Sequence, residues 1–493
     1  MIEVAGLTFR FAGAPRPALQ DVHLRIAPGE FVVLTGPSGC GKSTLALALS
    51  GYLFRQYAGE AVGEVHVGGL DVRRCPIYEV ADAVGLVQQN PENQFCTLTV
   101  ADELAFGPEN CGLPPTEITV RAAWALRVVG ATHLADRALA TLSGGEKQKV
   151  AIAAMLVMQP RVLILDEPTS NLDPTATRAV LDVIDRLRRE TGATVIVIEH
   201  KTAYLQPFAP RLIVMHAGRI VADSGISPVA LPTLPRPAAD RRAARPADGA
   251  PLASLQGVSV VREGREVLRD ITAEVHAGEF VVVMGDNGAG KSTLLRALLG
   301  LLKPAAGDVI VCGHDTRRTP VSRLARDVGM VFQNPDHQLF CETVWDESTF
   351  APCNFRDAAG AVRAMALLDD YGLTPYRDTH PYRLSYGEKR RLNLASVLSY
   401  APRLLLLDEV LIGQDPTNAA FLMDQLAAFT RQGGAVIAVS HDPLTTEYYA
   451  DRVLFLEAGR LLLDAPPRAA FARLDALGRQ PYLPLYGNAR EAT

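Results

Sequence analysis

The chain has 493 residues, a formal net charge of −5 and a pI near 6.1, which argues against electrostatic coating of RNA or DNA. Its seven cysteines include no C-x-x-C pair and fit reduced thiols better than disulfides or a zinc or iron–sulfur site. No apolar stretch approaches the roughly 18 residues of a membrane-spanning helix, and the strand-like run from Met1 carries no secretory signal. We therefore expect a cytoplasmic protein.

The first strong motif is a glycine-rich loop between an apolar strand-like run at Phe31 and a helix-forming stretch from Leu45. The pattern G-x-x-x-x-G-K-[ST] in this setting predicts a polyphosphate site, because glycines let backbone N–H groups close around phosphates. The lysine adds a movable positive charge, and the serine after it is placed to ligate Mg2+. The loop comprises Gly36, Pro37, Ser38, Gly39, Cys40, Gly41, Lys42, Ser43 and Thr44.

A second motif ends the apolar run that begins at Arg161. A continuous aliphatic run of this kind is typical of a strand buried on both faces of a parallel sheet. It ends in Asp166 and Glu167, where open α/β sheets bind nucleotides. We predict that Asp166 holds Mg2+ through water and that Glu167 polarises the attacking water.

Every one of these features occurs twice, which indicates two homologous domains in tandem. The copies are separated by between 241 and 249 residues. The second loop comprises Gly285, Asp286, Asn287, Gly288, Ala289, Gly290, Lys291, Ser292 and Thr293, and the second strand ends in Asp408 and Glu409. We assign the domains to residues 1–226 and 251–493. Residues 227–250, rich in Pro and Arg, read as an extended, solvated linker.

The segment that starts at Leu142 resembles the signature of ATP-binding cassette (ABC) ATPases, and the resemblance covers essentially all of both halves. It implies two P-loop NTPase domains of α/β class. Each has a mainly parallel central sheet, an antiparallel β subdomain and an α-helical signature subdomain. In that family two domains pair head to tail, so that each ATP lies between one domain's loop and the other's signature. The signature residues are Ser143, Gly144, Gly145 and Glu146, and Ser385, Tyr386, Gly387 and Glu388.

The same resemblance implies roles for residues outside these motifs. Two glutamines are expected to sense the γ-phosphate, to contribute to the Mg2+ site and to contact a membrane partner. Two histidines are expected to contact the γ-phosphate, two aspartates to link the two sites, and Phe11 to stack on adenine. The glutamines are Gln89 and Gln333, the histidines His200 and His441, and the aspartates Asp173 and Asp415.

The two sites are not expected to be equal. Tyr386 stands where the family has glycine, and we expect it to crowd or reorient the second signature. Arg262 lies where the first domain has Phe11. Because Glu167 and Glu409 are both present, neither site is read as dead. Our hypothesis is that site two, with the second loop and the first signature, does most of the hydrolysis.

A narrower resemblance concerns the partner. Gln89-Asn-Pro-Glu-Asn-Gln94-Phe95 and the run from Thr99 to Asn110 are similar to the ATPases of energy-coupling factor (ECF) importers. Such importers take up vitamins, their precursors, or nickel and cobalt ions, and fused ATPases of this kind often accompany thiamine-precursor uptake. The resemblance implies a separate transmembrane scaffold, a small membrane substrate-binding subunit and a place at the cytoplasmic face of the membrane. No nucleic-acid partner is expected.

Two alternatives stay open at this stage. The aromatic residues of the same region can simply belong to the core; they are Phe95, Phe106, Phe340 and Phe350. The chain can also be a soluble tandem ABC ATPase that acts on ribosomes or DNA. The translation-factor branch usually has a longer, helical, basic linker, whereas the linker here is interrupted by prolines. DNA-repair relatives carry zinc cysteines, which this sequence lacks. An ATPase of a sugar importer is disfavoured by the run from Gln89 to Gln94.

Overall fold

The computed structural model describes residues 1–14, 16–170, 172–200, 202–208, 210–224, 250–262 and 264–485. Its chain divides into two compact units. The predicted linker, residues 227–250, lies outside the described residues except for Ala250. The proposed domain bounds therefore stay predictions.

The described residues of the first unit form ten strands and seven α-helices. The strands are β1 (Ile2–Phe11), β2 (Leu19–Ile26), β3 (Phe31–Thr35), β4 (Gly59–Val67), β5 (Leu70–Asp71), β6 (Val84–Val87), β7 (Val162–Asp166), β8 (Thr194–Ile198), β9 (Arg211–His216) and β10 (Arg219–Asp223). The helices are α1 (Lys42–Leu49), α2 (Leu53–Gln56), α3 (Ile77–Ala83), α4 (Val100–Asn110), α5 (Pro115–Val128), α6 (Gly144–Leu156) and α7 (Pro174–Thr191).

Two sheets organise the first unit. One is antiparallel, in the order β2-β1-β4-β5, and the other is the central sheet, in the order β10-β9-β3-β8-β7-β6. The central strands pair in parallel except for the edge strand β10, which runs antiparallel to β9. Parallel strands carry their carboxyl ends to one edge of the sheet, so the loop after β3 and the acidic residues after β7 meet there.

Both faces of this central sheet are buried, because alternate residues of a strand point to opposite faces. In β7, Leu163 and Leu165 pack into a core with α5, α6 and α7. Their neighbours Val162 and Ile164 pack into a second core with the antiparallel sheet and α1. This explains the continuous aliphatic run in the sequence, since no position of the strand faces water.

Local signals fix the ends of the helices around the site. α6 begins after Ser143, which caps it, and α7 begins with a proline after the capping residue Asp173. Gly192, in the left-handed region at φ 67°, ends α7. Within the described parts of both units, no helix combines the length and apolar character needed to cross a membrane.

The described residues of the second unit repeat this arrangement, without a counterpart of α2 and with two further helices near its end. The strands are β11 (Ala253–Arg262), β12 (Arg265–Val275), β13 (Phe280–Met284), β14 (Ala306–Val311), β15 (His314–Asp315), β16 (Val328–Val331), β17 (Leu404–Asp408), β18 (Ala435–Val439), β19 (Arg452–Glu457) and β20 (Arg460–Ala465). The helices are α8 (Lys291–Leu298), α9 (Val321–Leu324), α10 (Val344–Phe355), α11 (Gly360–Asp370), α12 (Tyr386–Leu398), α13 (Pro416–Arg431), α14 (Pro443–Tyr449) and α15 (Pro467–Ala476).

The sheets of the second unit have the same connectivity as those of the first. The antiparallel sheet has the order β12-β11-β14-β15, and the central sheet has the order β16-β17-β18-β13-β19-β20. Leu405 and Leu407 of β17 face the core with α10 to α13, and Leu404 and Leu406 face the core with α8. The expected fold class, with a parallel sheet, an antiparallel β subdomain and a helical signature subdomain, is confirmed in both units.

Replacing Leu406 by alanine tests the burial of the central sheet. The side chain is fully buried, so Leu406→Ala should cost about 2–5 kcal/mol of unfolding free energy through lost contacts and a cavity. The measurement is the denaturant midpoint of the full chain. Leu301→Ala, at a half-exposed leucine, is the control and should change it little. Equal shifts for the two variants would contradict the two-sided core.

Candidate active site

The loop between β3 and α1 is held in a shape that only glycine permits at its first residue. Gly36 has φ 145°, and a Cβ there would lie 2.1 Å from the carbonyl oxygen of Met215. Lys42 folds back over the loop, and its Nζ donates to the carbonyl oxygens of Gly36 and Pro37 at 2.9 Å each. The ammonium group is thus buried at the centre of the loop rather than extended into solvent.

The loop between β13 and α8 repeats this geometry. Gly285 has φ 140°, and Lys291 Nζ donates to the carbonyl oxygens of Gly285 and Asp286 at 2.9 Å each. Asp286 differs from its counterpart Pro37 because it carries a side chain that accepts a hydrogen bond. Tyr482, near the end of the described chain, donates its hydroxyl to Asp286 Oδ1 at 2.6 Å. The sequence analysis missed this contact, which joins residues 196 positions apart.

Both loops lead into helices that have no side-chain cap. The residues before α1 and α8 are Gly41 and Gly290, and neither helix receives a capping hydrogen bond from a side chain. Their first N–H groups therefore point out of the helix without a side-chain acceptor. Such helix starts favour anions, since free N–H groups and the helix dipole both attract negative charge. The loop, the lysine and the helix start together suit a polyphosphate.

An aspartate at the end of each central strand lies beside the serine that follows the loop lysine. Ser292 Oγ donates to Asp408 Oδ1 at 3.1 Å, and Ser43 makes the corresponding hydrogen bond to Asp166. Burial raises the pKa of Asp166 to about 6, against the opposing effects of Ser43, Lys42 and His200. Burial, aided by the neighbouring Glu409, also raises the pKa of Asp408.

This pair of groups fits a divalent cation. Asp166 Oδ1 is buried and has no hydrogen-bond partner among the described residues, so an acceptor oxygen is left without a donor. A hard cation such as Mg2+ binds carboxylate and hydroxyl oxygens of this kind. In the described part of the chain, no cluster of three or more His, Cys, Asp or Glu could hold a metal alone. A cation at Asp166 and Ser43 would therefore take further oxygen ligands from phosphate and water.

In the first unit, the glutamate after the strand joins two predicted residues from distant parts of the chain. Gln89 Nε2 donates to Glu167 Oε2 at 2.7 Å, and His200 Nε2 lies 3.1 Å from Glu167 Oε1. Glu167 itself has φ 46°, a left-handed conformation that is strained for a residue with a side chain. This backbone turn is compatible with a carboxylate aimed away from the neighbouring Asp166.

The second unit forms the same triad. Gln333 Nε2 donates to Glu409 Oε2 at 2.9 Å, and His441 Nε2 lies 2.8 Å from Glu409 Oε1. Glu409 has φ 52°. Both oxygens of each glutamate are thus occupied by side chains. In His200 and His441 the other ring nitrogen, Nδ1, is buried and without a hydrogen bond among the described residues.

Glu199 is a further residue of the first site that sequence reasoning missed. Its carboxylate is buried, accepts a short hydrogen bond from the Thr169 hydroxyl, and also accepts from the His200 backbone N–H at 2.9 Å. It therefore ties the segment after Glu167 to the histidine. An acidic residue at the end of the apolar run of β8 was the available signal. The second unit has Ser440 at this position.

The two signature turns share one local structure. Ser143 caps α6 and Ser385 caps α12, and each accepts from the N–H group of a glutamate three residues later. That glutamate, Glu146 or Glu388, accepts in turn from the serine N–H group, which completes a capping box. Tyr386 does not reorient this turn, contrary to one part of the expectation. The residue is 41% exposed, so its ring adds bulk at the surface of the signature.

Two other predicted residues have clear local roles. Asp173 caps α7 by accepting from the Ala176 N–H at 2.8 Å, and Asp415 caps α13 in the same way. Their expected linking of two sites stays a prediction. Phe11 packs edge to face against Phe9 and Tyr57, with centroid distances of 4.9 and 5.7 Å. Its stacking on adenine likewise stays a prediction.

The aromatic residues near the glutamines do not form one buried set. Phe95 packs against the core of the first unit, as the core alternative predicted. For the others that alternative is wrong, because Phe106, Phe340 and Phe350 are 45%, 63% and 45% exposed. Phe340 and Phe350 pack edge to face at 4.7 Å between ring centroids. Leu98 is 83% exposed in the equivalent region of the first unit.

Buried glutamates shape the backbone below these exposed residues. Glu103 Oε2 accepts from the N–H groups of Cys96 and Thr97 at 3.0 Å each. Glu347 Oε2 accepts from the N–H groups of Phe340 and Cys341 at 2.9 Å each. Leu98 and Phe340 therefore lie on or next to a hydrogen-bonded loop, whereas Phe106 and Phe350 lie on the helices α4 and α10 that follow it.

Each unit thus combines a phosphate loop, a strand-end Asp-Glu pair, a glutamine and a histidine on one parallel sheet, which defines a two-domain P-loop ATPase. The model of the family described as "ABC transporter" matches residues 19–170 and 268–411. These segments make up more than half of the chain. The protein belongs to the ABC transporter family, and it is an ATP-hydrolysing member of that family.

Individual relatives match the chain almost from end to end. A "Putative ABC transporter ATP-binding protein" of Methanosarcina mazei is 35% identical over 98% of this chain and 92% of its own length. The "Putative HMP/thiamine import ATP-binding protein YkoD" of Bacillus subtilis is 34% identical over 98% of this chain and 95% of its own length.

The solved structure of cbiO1 from Clostridium perfringens, part of the ABC transporter complex cbiONQ, is 28% identical. It covers 46% of this chain and 94% of its own, with a TM-score of 0.42.

Because the pKa of Asp166 is raised, replacing its carboxylate by a neutral amide should stabilise the folded protein to an extent that depends on pH. Since the folded protein binds this proton more tightly than the unfolded chain, the carboxylate costs no stability below about pH 4. The cost develops as the pH rises through about 6. Asp166→Asn should therefore raise the melting temperature of the nucleotide-free and metal-free protein at pH 8, with little gain at pH 4.

Thermal unfolding in the presence of a chelator measures this difference. Asp182→Asn, at an exposed aspartate of α7, is the matched control and should shift the melting temperature little at either pH. A gain for Asp166→Asn that is the same at pH 4 and pH 8, or a loss at pH 8, would show that the carboxylate is not a buried, desolvated group.

Proposed function

We propose that the chain is the ATPase subunit of an ECF-type importer, coupling MgATP hydrolysis to uptake of a vitamin, a vitamin precursor or a transition-metal ion. It would act at the cytoplasmic face of the membrane through a separate transmembrane scaffold and a small substrate-binding subunit. The observation that carries this proposal is the pair of exposed apolar surfaces that follow Gln89 and Gln333. The Bacillus relative, named for HMP/thiamine import, favours a thiamine precursor as the cargo.

The exposed surfaces suit a membrane partner for a physical reason. Large exposed apolar side chains on an ordered loop are unfavourable in water unless another protein covers them. Phe340 and Phe350 form such a pair, and the loop that bears Phe340 is fixed by Glu347. This loop begins only a few residues after Gln333, which contacts Glu409. A partner docked on Phe340 therefore lies a few residues along the chain from Gln333, which contacts the proposed catalytic Glu409.

The proposed chemistry follows from the site residues. Lys42 and Lys291 neutralise phosphate charge within their loops, and the first N–H groups of α1 and α8 add donors. Glu167 and Glu409 orient the attacking water, and His200 and His441 contact the γ-phosphate. Glutamine and histidine each engage one oxygen of the glutamate, and the remaining lone pairs of these oxygens can accept a hydrogen bond from the attacking water.

We propose Mg2+ sites at Ser43 with Asp166 and at Ser292 with Asp408, with Gln89 and Gln333 as further oxygen donors. The partnerless Asp166 Oδ1 supports the first of them. When bound, the ion would neutralise charge on the phosphate oxygens. The serines and aspartates would hold it, and the buried setting of Asp166 would favour a bound cation over a bare carboxylate.

From the family resemblance we further propose that the two domains pair head to tail. Site one then combines the first loop with Ser385, and site two combines the second loop with Ser143. The exposed Tyr386 ring adds bulk to the signature of site one, whereas the signature of site two has Gly144 at that position. This difference supports the hypothesis that site two does most of the hydrolysis.

Exchanging each glutamate for glutamine tests this asymmetry. Loss of a positioned base lowers the rate of its own site on the order of 100-fold or more, so the rate that remains comes mainly from the other site. We expect Glu409→Gln to lower the ATPase rate by roughly tenfold or more. Glu167→Gln should lower it by less than about twofold. Steady-state ATPase rates of the two single variants decide the matter. Equal losses, or the reverse order, would rule the asymmetry out.

Purification of the chain from its native membranes in mild detergent tests the transport proposal. A polytopic scaffold protein together with a small membrane protein should accompany the wild-type chain, and the small protein would indicate the cargo. The variant Phe340→Ser with Phe350→Ser should lose both partners, because the covering contact is apolar. Leu477→Ser, at another half-exposed apolar residue, is the control and should retain them.

The same experiment can decide against the proposal. Ribosomal proteins, or DNA with repair proteins, in place of a membrane scaffold would favour a soluble tandem ABC ATPase. Retention of the scaffold by the Phe340 and Phe350 variant would keep the transport function but would place the docking surface elsewhere.

A further inference from the structure

The signature helix of the second unit carries a buried arginine that has no equivalent in the first. Arg390 of α12 is 1% exposed, and its guanidinium donates to the backbone carbonyl oxygen of Phe332 at 2.6 Å and to that of Gln333. Its Nη2 also donates to the Tyr386 hydroxyl at 3.2 Å, and the guanidinium lies over the Tyr386 ring. One side chain therefore binds the signature turn and the backbone of the predicted glutamine.

Neighbouring side chains of α12 reinforce this link to the segment after Gln333. Lys389 Nζ pairs with Asp336 Oδ1 at 2.8 Å, and Asn393 Nδ2 donates to the Pro335 carbonyl oxygen at 3.1 Å. Gln338 returns the contact by donating to the Asn393 carbonyl oxygen at 3.4 Å. The helix and the segment 332–338 are thus joined by several hydrogen bonds along their length.

The first unit lacks this set of contacts at the corresponding positions. Gln148 stands where the second unit has Arg390, and its Nε2 is buried without a partner among the described residues. Gln94, the counterpart of Gln338, accepts from the Gln88 N–H within its own loop at 3.2 Å. In the described first unit, the ion pair of Lys147 with Glu92 is the side-chain link that joins α6 to this loop.

The buried charge explains why the link is strong. No carboxylate lies within ion-pair distance of Arg390 among the described residues, so backbone carbonyls and the Tyr386 hydroxyl carry its compensation. A buried cation that lost these acceptors would be strongly destabilised. The segment at Gln333 cannot move away from α12 without that cost.

We propose that Arg390 is a positioning residue that makes the Ser385 turn and the Gln333 segment move as one body. The first domain keeps the corresponding parts, Ser143 and Gln89, more independent. The next step rests on the proposed function, in which a partner docks at Phe340. The link then transmits a displacement at Phe340 to Ser385. With head-to-tail pairing, it also couples Gln333 of site two to the signature of site one. Tyr386 then serves as an acceptor for Arg390.

Amide hydrogen exchange of the full chain, without a membrane partner, tests the link directly. Arg390→Gln introduces the residue that the first domain has at this position, so it suits the fold. We expect exchange in residues 333–339 to rise about tenfold, because hydrogen bonds from a charged donor to this segment are lost. Exchange in β17 and α13 should stay unchanged. Arg390→Lys should not restore protection, since an ammonium group does not reproduce the forked geometry.

Three controls keep the test specific. Lys389→Ala removes the neighbouring ion pair and should raise exchange much less, because the carboxylate of that pair is 42% exposed and water can replace the lost contact. Gln148→Arg places the guanidinium in the first domain and should slow exchange in residues 89–95. Tyr386→Phe removes only the hydroxyl acceptor, so it should raise exchange near Ser385 more than near Gln333.

Kinetics supply a second readout. Arg390→Gln should lower kcat for ATP about tenfold with KM nearly unchanged, because displaced groups act on the reacting centre rather than on nucleotide affinity. Unchanged exchange at 333–339 would overturn the proposal, as would a uniform rise throughout the second domain. Since the exchange experiment needs no membrane subunit, failure to find a scaffold would overturn the transport proposal and leave this result standing.

Discussion

The burial of both faces of each central sheet is the constraint on which the rest of the structure depends. Aliphatic residues fill every interior position of β7 and β17, so the first polar residues of these strands come at their carboxyl ends. Parallel pairing brings those ends to the same edge as the phosphate loops. The sheet therefore places Asp166 beside Ser43, and it buries the carboxylate, which raises its pKa.

At this edge, the glutamate that follows the aspartate connects the parts that have to act together. Its left-handed backbone is compatible with a carboxylate aimed away from the aspartate, at a glutamine and a histidine. In the second unit the glutamine begins the segment that leads to the exposed Phe340, so one short segment carries both a contact of the proposed catalytic glutamate and part of the surface proposed for a partner. Strain in the backbone of Glu167 and Glu409 is tolerated because the sheet and the flanking hydrogen bonds hold it.

The two halves share this framework but differ in how its pieces are fastened. In the first, Glu199 fastens the histidine to the segment after the strand. In the second, Arg390 of the signature helix donates to the backbone of Gln333, and Tyr482 donates to Asp286 of the phosphate loop. A duplicated fold can in this way support two sites with different mobility. The hydrogen bonds that differ between the halves are not part of the hydrophobic core that determines the fold.

The sequence by itself determined the repeat, both phosphate loops, the strand-end carboxylates and the signature turns, since each depends on neighbouring residues and a local backbone pattern. The exposure of Phe340, the contact of Gln89 with Glu167 and the acceptors of Arg390 were decided only by the tertiary structure. These contacts join residues 78 positions apart for Gln89 and Glu167, and 57 for Arg390 and Gln333. A local pattern does not encode which distant group will be buried beside a side chain, whereas packing of the sheet and helices fixes it.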